Sequence, residues 1–336
     1  MAADAAPRVT VPVPPDRVER DPERLRWGTV STIKAPLLAI ARFAAWHLEA
    51  GAAEIHIYLD APDPVTAGFF AGHPAIRVTQ CDAAYWRGKP ARAQRAHQLR
   101  QAYNASRAYR RAGVHWLAHV DVDEFLLSPR PLAQVLAAVP AEAAYARMRP
   151  AEMLAQPDPW TGETAFKLTR REAGQTKAAL ARIYPGFGEY VPEGFIGYNG
   201  GKNFARTGLP GIRLGIHALL QDGVAVANGQ MLDRVHVGHA HAPDWDTFQR
   251  HFRFRMTHGS YRKNPDDPMR LRDVLDLVIA AEGSAGLRRF FDTMCAATPD
   301  LLARLDAHGM LLTARLDLDA KVAKWFGRLP QQDTAS

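Results

Sequence analysis

The chain has 336 residues, 47% of them apolar, and a formal net charge of +7. That is enough apolar material for a substantial core, and it excludes a globally disordered chain. The longest apolar run, APLLAIARFAAW, is too short for a bilayer span and carries Arg42, while two distant cysteines, Cys81 and Cys295, exclude a disulfide framework or a metal knuckle.

The N-terminal segment, MAADAAPRVTVPVPPDRVERDPER, has no apolar stretch behind a basic start, so it reads as a flexible, proline-rich lead-in rather than a secretory signal. RWGTVSTIK, Arg26 to Lys34, predicts a strand. In the following APLLAIARFAAWHLEAG, the residues Leu37, Ala41, Ala44, Ala45 and Leu48 recur at helical spacing, and Gly51 stands where it would close the helix. EIHIYLD, Glu54 to Asp60, is a second strand, which makes a βαβ unit and hence a parallel pair. IRVTQC, Ile76 to Cys81, is a third strand. A long helix is expected from about Ala91 to Ala112, again ended by glycine. It leads into HWLAHVDVDEFLL, an apolar strand running into Asp121, Asp123 and Glu124. LAQVLAAV predicts a short helix, and residues 143–201 predict short strands and loops that wall a pocket. GIRLGIHALLQ and MLDRVHVGHAHAP predict further strands, and the pattern is helical from Asp244 to about Trp325.

The acids carry the chemistry. Alternate residues of a strand face one way, so Asp121 and Asp123 are expected to point together into a cleft. Two carboxylates side by side repel unless a cation lies between them, and oxygen ligands suit a hard divalent ion such as Mg²⁺ or Mn²⁺. Such an ion would hold a diphosphate. His217, and His236, His239 and His241 in VHVGHAH, are candidate further ligands, the last three expected to share one strand face. Lys34 and Asp60 close two strands, and Lys202 and Arg206 follow the glycines of GYNGGKNFAR; this group is expected to contact a nucleotide, with cations on phosphate and an acid on base or ribose. There is no GxxxxGK[ST], no GxGxxG after the first strand and no GxSxG, which speaks against a P-loop ATPase, a dinucleotide oxidoreductase and an α/β-hydrolase. Two basic runs, the acid-free stretch from Ala83 to Val120 and QRHFRFRMTHGSYRK from Gln249 to Lys263, would attract phosphates, anionic headgroups or nucleic acid.

The ordered blocks STIKAPLLAIARFAAWHLEAGAAEIHIYLD, HWLAHVDVDEFLL, NGGKNFARTG and GHAHAPDWDTF resemble bacterial family-2-like glycosyltransferases, related to the branch that includes family 92. The resemblance covers roughly Gly28 to Phe254. It implies an α/β fold of GT-A type, a Rossmann-like mixed sheet flanked by helices, with a C-terminal helical extension. The corresponding division is a lead-in (1–24), a glycosyltransferase domain (25–245), the helical extension (246–328) and a polar tail (329–336). It implies a nucleotide-sugar donor and a divalent cation on Asp121 and Asp123. The family's strand-end Lys-Asn-Glu falls on Lys34-Ala35-Pro36, which keeps the lysine alone. The family's late histidine falls on His239, with Ala240 where a tyrosine is usual, so His241 competes for the role. Glu152 and Glu193 are the candidates for general base in a single displacement. The acceptor would be a glycan, a lipid-linked or a protein hydroxyl, in a cytoplasmic enzyme in peripheral contact with the inner face of the membrane. Nucleic acid is not expected, because no helix-turn-helix, zinc-finger or RNP signature is present. The rival readings are a metal-dependent nucleotidyl- or phosphotransferase and a non-catalytic basic binder.

Overall fold

The computed structural model describes residues 7–157, 162–257 and 271–330. In chain order, strand β1 (Trp27–Ile33), helix α1 (Leu37–Glu49) and strand β2 (Glu54–Leu59) come first. Then follow β3 (Ile76–Gln80), α2 (His97–Tyr109), β4 (Trp116–His119), β5 (Glu124–Leu127), β6 (Tyr145–Met153) and β7 (Thr164–Lys167). Beyond these lie β8 (Lys202–Arg206), β9 (Gly229–His239), α3 (Trp245–Thr257), α4 (Leu271–Met294), α5 (Pro299–Ala307), β10 (Leu311–Ala314) and α6 (Leu318–Phe326). This is a mixed α/β fold with a large sheet, flanking helices and helices towards the C-terminus. No described helix is long and apolar enough to cross a membrane.

The residues divide into two compact units that interleave along the chain: Met1–Arg149, Gly201–Val237 and Asp317–Ser336 form the first, and Pro150–Gly200 and Gly238–Leu316 the second. In the first unit, β4, β1, β2 and β3 lie side by side and parallel. β8 runs antiparallel to β4, and Tyr145–Met148 of β6 run antiparallel to β8. Every residue of β1 and β2 is buried, as expected of parallel strands covered on both faces. One face packs Ile33, Ile55, Ile57, Trp116 and Phe204 against Leu37, Ile40 and Phe43 of α1; the other packs Val30, Tyr58 and Leu117 against Ala105 and Ala108 of α2. Gly51, at φ 93°, ends α1 in the left-handed region that glycine enters without strain. In the second unit, Glu152–Met153 pair with β7, and β7 pairs with β10, all antiparallel. Phe248, Phe252, Leu275, Phe290, Phe291, Leu301 and Leu305 form its helical core.

Four expectations change. The helix expected over 91–112 is broken into Ala91–Gln94 and α2, because Ala96 is extended at φ −142°. The lead-in is fastened over the described residues from 7 onward: Arg8–Val9 pair with Ala225–Val226, and fully buried Val11 exchanges backbone hydrogen bonds with the Asn228 amide. The segment 143–201 holds a nine-residue strand and a helix, Lys177–Ile183. The last helix, α6, belongs to the first unit, where Asp319 binds Arg42 at 2.6 Å and Lys324 binds Glu49 at 2.7 Å on α1. Residues 258–263 of the second basic run, and the tail beyond 330, lie outside the described residues.

Arg206 pins the first unit together. Its guanidinium donates to the carbonyls of Ala143 (3.0 Å), Arg17 (3.2 Å) and Pro140 (3.2 Å), and lies 4.2 Å from the centre of the Trp116 ring. Replacing it leaves three carbonyls without their donor and an aromatic face uncovered. Arg206→Met is expected to lower the unfolding free energy by about 3 kcal/mol in urea titration.

A candidate site at an acidic turn

The register of the parallel strands fixes which residues leave the same edge. Ile33 is level with Leu59, Leu59 with Gln80, and His119 with Val30. Lys34, Asp60 and Asp121 therefore all follow the carboxyl ends of parallel strands, where open α/β sheets bind ligands. Asp121 and Asp123 are not on a strand, and Glu124 begins β5. β4 stops at His119, and Asp121 to Glu124 form a turn closed by Glu124 N–H donating to the Asp121 carbonyl at 3.0 Å. The strand argument for a shared face is thus replaced by a turn, whose Asp121 and Asp123 are half-buried while Glu124 is buried.

A lysine organises this turn. The ammonium of Lys202, at the start of β8, lies 2.7 Å from Asp121 Oδ2 and 3.2 Å from Glu124 Oε2. Glu124 Oε2 also accepts the Asp121 N–H at 2.8 Å, and Asp121 Oδ1 accepts from the Gln101 amide at 2.8 Å. Burial opposes the charge on Lys202, but the Asp121 and Glu124 carboxylates outweigh it and hold the ammonium well above the usual lysine range. Lys202, expected to contact phosphate, has a side chain that is 2% exposed and a charge that faces the turn. Two histidines stand nearby. His119 is buried on β4, with Nδ1 donating to the Gly215 carbonyl at 2.9 Å and Nε2 without a hydrogen-bond partner among the described residues. Burial, reinforced by the Lys202 charge, pushes it down to about 4. His217 is pushed to about 4 in the same way, and its Nδ1 lies 3.3 Å from the Gly201 carbonyl.

At the end of β2, Asp60 holds Arg100 through two hydrogen bonds of 2.6 and 2.7 Å and His97 through one of 3.2 Å. Burial would raise its carboxyl, but the His97 and Arg100 hydrogen bonds win and hold it far below the usual range. Lys34 is exposed at the end of β1. The glutamine, histidine and arginine that support the acids, Gln101, His97 and Arg100, escaped the sequence reading; the signal that could have found them is the acid-free basic stretch itself.

In the second unit, the two candidate bases are both engaged. Glu152 stands opposite Lys167 across β6 and β7, and its Oε1 lies 2.8 Å from the Lys167 ammonium. It also accepts from the amides of Ile196 (3.2 Å) and Gly197 (2.6 Å) and is 3% exposed. Glu193, at φ 58°, accepts from Arg170 at 2.9 Å and from the Arg171 amide at 3.1 Å. Both carboxylates thus fix local structure. A Cβ at Gly197 would meet Glu152 Oε2 at 3.0 Å and His241 Nδ1 at 3.2 Å, so this glycine admits its own unit's side chains rather than a ligand. His239 ends β9 half-buried, its ring 5.1 Å from that of buried His241. His236 is three residues before His239, an odd interval that puts the two on opposite faces of the strand.

Arg206, also expected at the nucleotide, stands at the other end of β4. It pairs with Trp116 at the beginning of β4, whereas the acidic turn follows the end of that strand. A cleft of about 660 Å³ lies at that far edge of the first unit, lined by Arg17, Tyr109, Arg110, His115, Thr207 and Gly208. It contains none of the predicted site residues.

A hard divalent cation at this turn would be held through Asp121, whose side chain is 30% exposed, and half-buried Asp123. Among the described residues no three His, Cys, Asp or Glu side chains are placed to hold a metal ion; one or two carboxylates with substrate oxygens are the usual protein share for Mg²⁺. No protein-family model matches the chain, and no curated protein matches it either.

The site has a defined acid response. An unfolded histidine titrates near 6.5, and His119 in the fold titrates at about 4, so the unfolded chain takes the proton first. Its contribution is full above about pH 6.5 and is lost as pH falls towards about 4. Asp60, with its carboxyl held low, contributes above about pH 4 and loses that contribution only at lower pH. His119→Asn should flatten the upper limb of the stability–pH curve and Asp60→Asn the lower one, as measured by chemical denaturation from pH 7 downwards.

Proposed function

We propose that this chain is a metal-dependent glycosyltransferase of GT-A type, moving a sugar from a nucleotide-sugar donor to an acceptor hydroxyl with inversion, in the synthesis of a cell-surface glycan. The observation that carries the reading is the turn Asp121–Glu124, following β4 at the same sheet edge as Lys34 and Asp60. Mn²⁺ or Mg²⁺ on Asp121 and Asp123 would neutralise charge on the departing nucleoside diphosphate.

The chain's own groups divide the remaining work. Exposed Lys34 offers a cation to phosphate at the end of β1. Asp60 holds Arg100 and His97 in place beside it in sequence order at the end of β2, leaving the His97 ring 46% exposed. In a single displacement the acceptor oxygen attacks the anomeric carbon, the bond to the diphosphate breaks, and a base takes the hydroxyl proton. Glu152 and Glu193 are engaged by Lys167 and by Arg170 and Arg171, so neither is assigned that base here. The acceptor is a glycan, lipid-linked or protein hydroxyl, and the basic stretch from Arg87 to Arg111 suits a peripheral contact with an anionic membrane face.

Asp123→Asn should reduce sugar transfer at least about 100-fold, in a variant whose cooperative thermal unfolding shows that it folds. The measurement is product analysis with a panel of nucleotide sugars in Mn²⁺. Undiminished transfer in the variant would remove the carboxylate from the reaction. Release of a nucleotidyl or phosphoryl product instead would place the paired acids in the rival transferase class.

A further inference from the structure

We propose that Lys202 is a built-in counter-ion of the acidic turn: its ammonium, set between Asp121 and Glu124, holds the turn in its working shape with no divalent ion bound. This rests on the reading of the turn as the donor-diphosphate site, and it assigns Lys202 a positioning role.

The geometry supplies the reasons. The ammonium is 2% exposed and contacts both carboxylates, at 2.7 and 3.2 Å. The same Glu124 oxygen accepts the Asp121 N–H at 2.8 Å, so one oxygen joins the lysine to the backbone of the turn. Gln101 fixes the other Asp121 oxygen at 2.8 Å. A buried cation with two carboxylate partners cannot be removed without leaving buried negative charge uncompensated, which is strongly destabilising. A turn ordered in this way needs no metal for its structure. A divalent cation approaching Asp121 meets the lysine's positive charge close by, which weakens its hold on the free protein. The cation then binds well only when a diphosphate brings further negative oxygens. Metal affinity and nucleotide affinity are coupled, and by reciprocity each raises the other by the same factor.

The full chain tests this through thermal unfolding and Mn²⁺ binding, the latter read from the electron paramagnetic resonance signal of free Mn²⁺. In the wild type, EDTA is expected to leave the melting temperature unchanged, and Mn²⁺ alone to bind weakly. Lys202→Met should lose about 5–10 °C, recover part of this on adding Mn²⁺, and bind Mn²⁺ at least about tenfold more tightly than the wild type. Lys202→Met combined with Glu124→Gln restores the charge balance and should melt above the single Lys202→Met variant; if the single variant does not fold, the double one is compared with Glu124→Gln alone for tighter Mn²⁺ binding. A lysine that only filled space would be neither rescued by Glu124→Gln nor replaced by Mn²⁺. A wild type that EDTA destabilises, or Mn²⁺ binding that does not tighten when Lys202 is removed, overturns the proposal. A separate arm adds UDP, GDP and dTDP with Mn²⁺ to the wild type. Joint tightening supports the coupling. Absence of nucleotide binding alongside the expected Lys202 behaviour removes the glycosyltransferase reading and leaves the counter-ion standing.

Discussion

A lysine ammonium sealed against two carboxylates is the constraint on which the first unit's candidate site depends. Desolvating three charges is costly, and attraction offsets that cost only where geometry is tight and spare lone pairs are engaged. Both conditions hold for Lys202, through the Asp121 and Glu124 contacts, the Asp121 amide and Gln101. The arrangement also demands that β8 be held in register. That strand carries a second buried cation, Arg206, four residues on, or about 13 Å along an extended strand. The even interval sets Lys202, Phe204 and Arg206 on one face. Phe204 packs on Trp27, and Arg206 lies over Trp116 and ties three backbone carbonyls. One strand face therefore sets the acidic turn at one end and locks the lead-in at the other.

The second unit has a buried lysine too, with a different logic. Lys167 and Glu152 are directly opposed across an antiparallel pair, the closest relation two strand residues can have. Lys167 also donates to the Met294 carbonyl at 2.9 Å, and Glu152 accepts two backbone amides. Burial opposes the Lys167 charge, but Glu152 outweighs it and holds the ammonium well above the usual range. Both partners are at most 4% exposed, whereas Asp121 keeps 30% of its side chain open. The Lys202 cluster thus has a face that a ligand can meet, and the Lys167 pair has none.

What could be read from the sequence was periodicity. Continuous apolar runs gave β1 and β2, helical spacing gave α1, and Gly51 marked its end, because burial and backbone preference are local in sequence. Partners are not. Glu152 reads as a pocket carboxylate until Lys167 appears opposite it, and Lys202 reads as a phosphate ligand until Asp121, 81 residues earlier, takes its charge. The break at Ala96 was hidden for the same reason: His97 and Arg100 turn to Asp60, and Arg100 also donates to the Gln94 carbonyl at 3.2 Å. The shared face expected of His236, His239 and His241 does not hold: an odd interval on a strand sets His236 and His239 on opposite faces, which the spacing alone decides.

The acid-free stretch links these facts. Eight cations stand between Ala83 and Val120 with no carboxylate among them, so any ion pair they make must reach outside the stretch. Arg100 does so by binding Asp60. Arg87, Arg92 and Arg95 are exposed, and among the described residues none of them pairs with a carboxylate. They lie between the end of β3 and the start of α2, the helix whose first turn holds Asp60. Phosphates are attracted to such a field, while the half-buried Asp123 and Asp121 repel them unless a cation intervenes. On the proposed reading, a diphosphate that carries its own divalent ion would satisfy both, with its oxygens towards the arginines and its metal towards the aspartates. On the same reading Lys202, 2.7 Å from Asp121 and 3.2 Å from Glu124, would hold these two acids in place before that pair arrives.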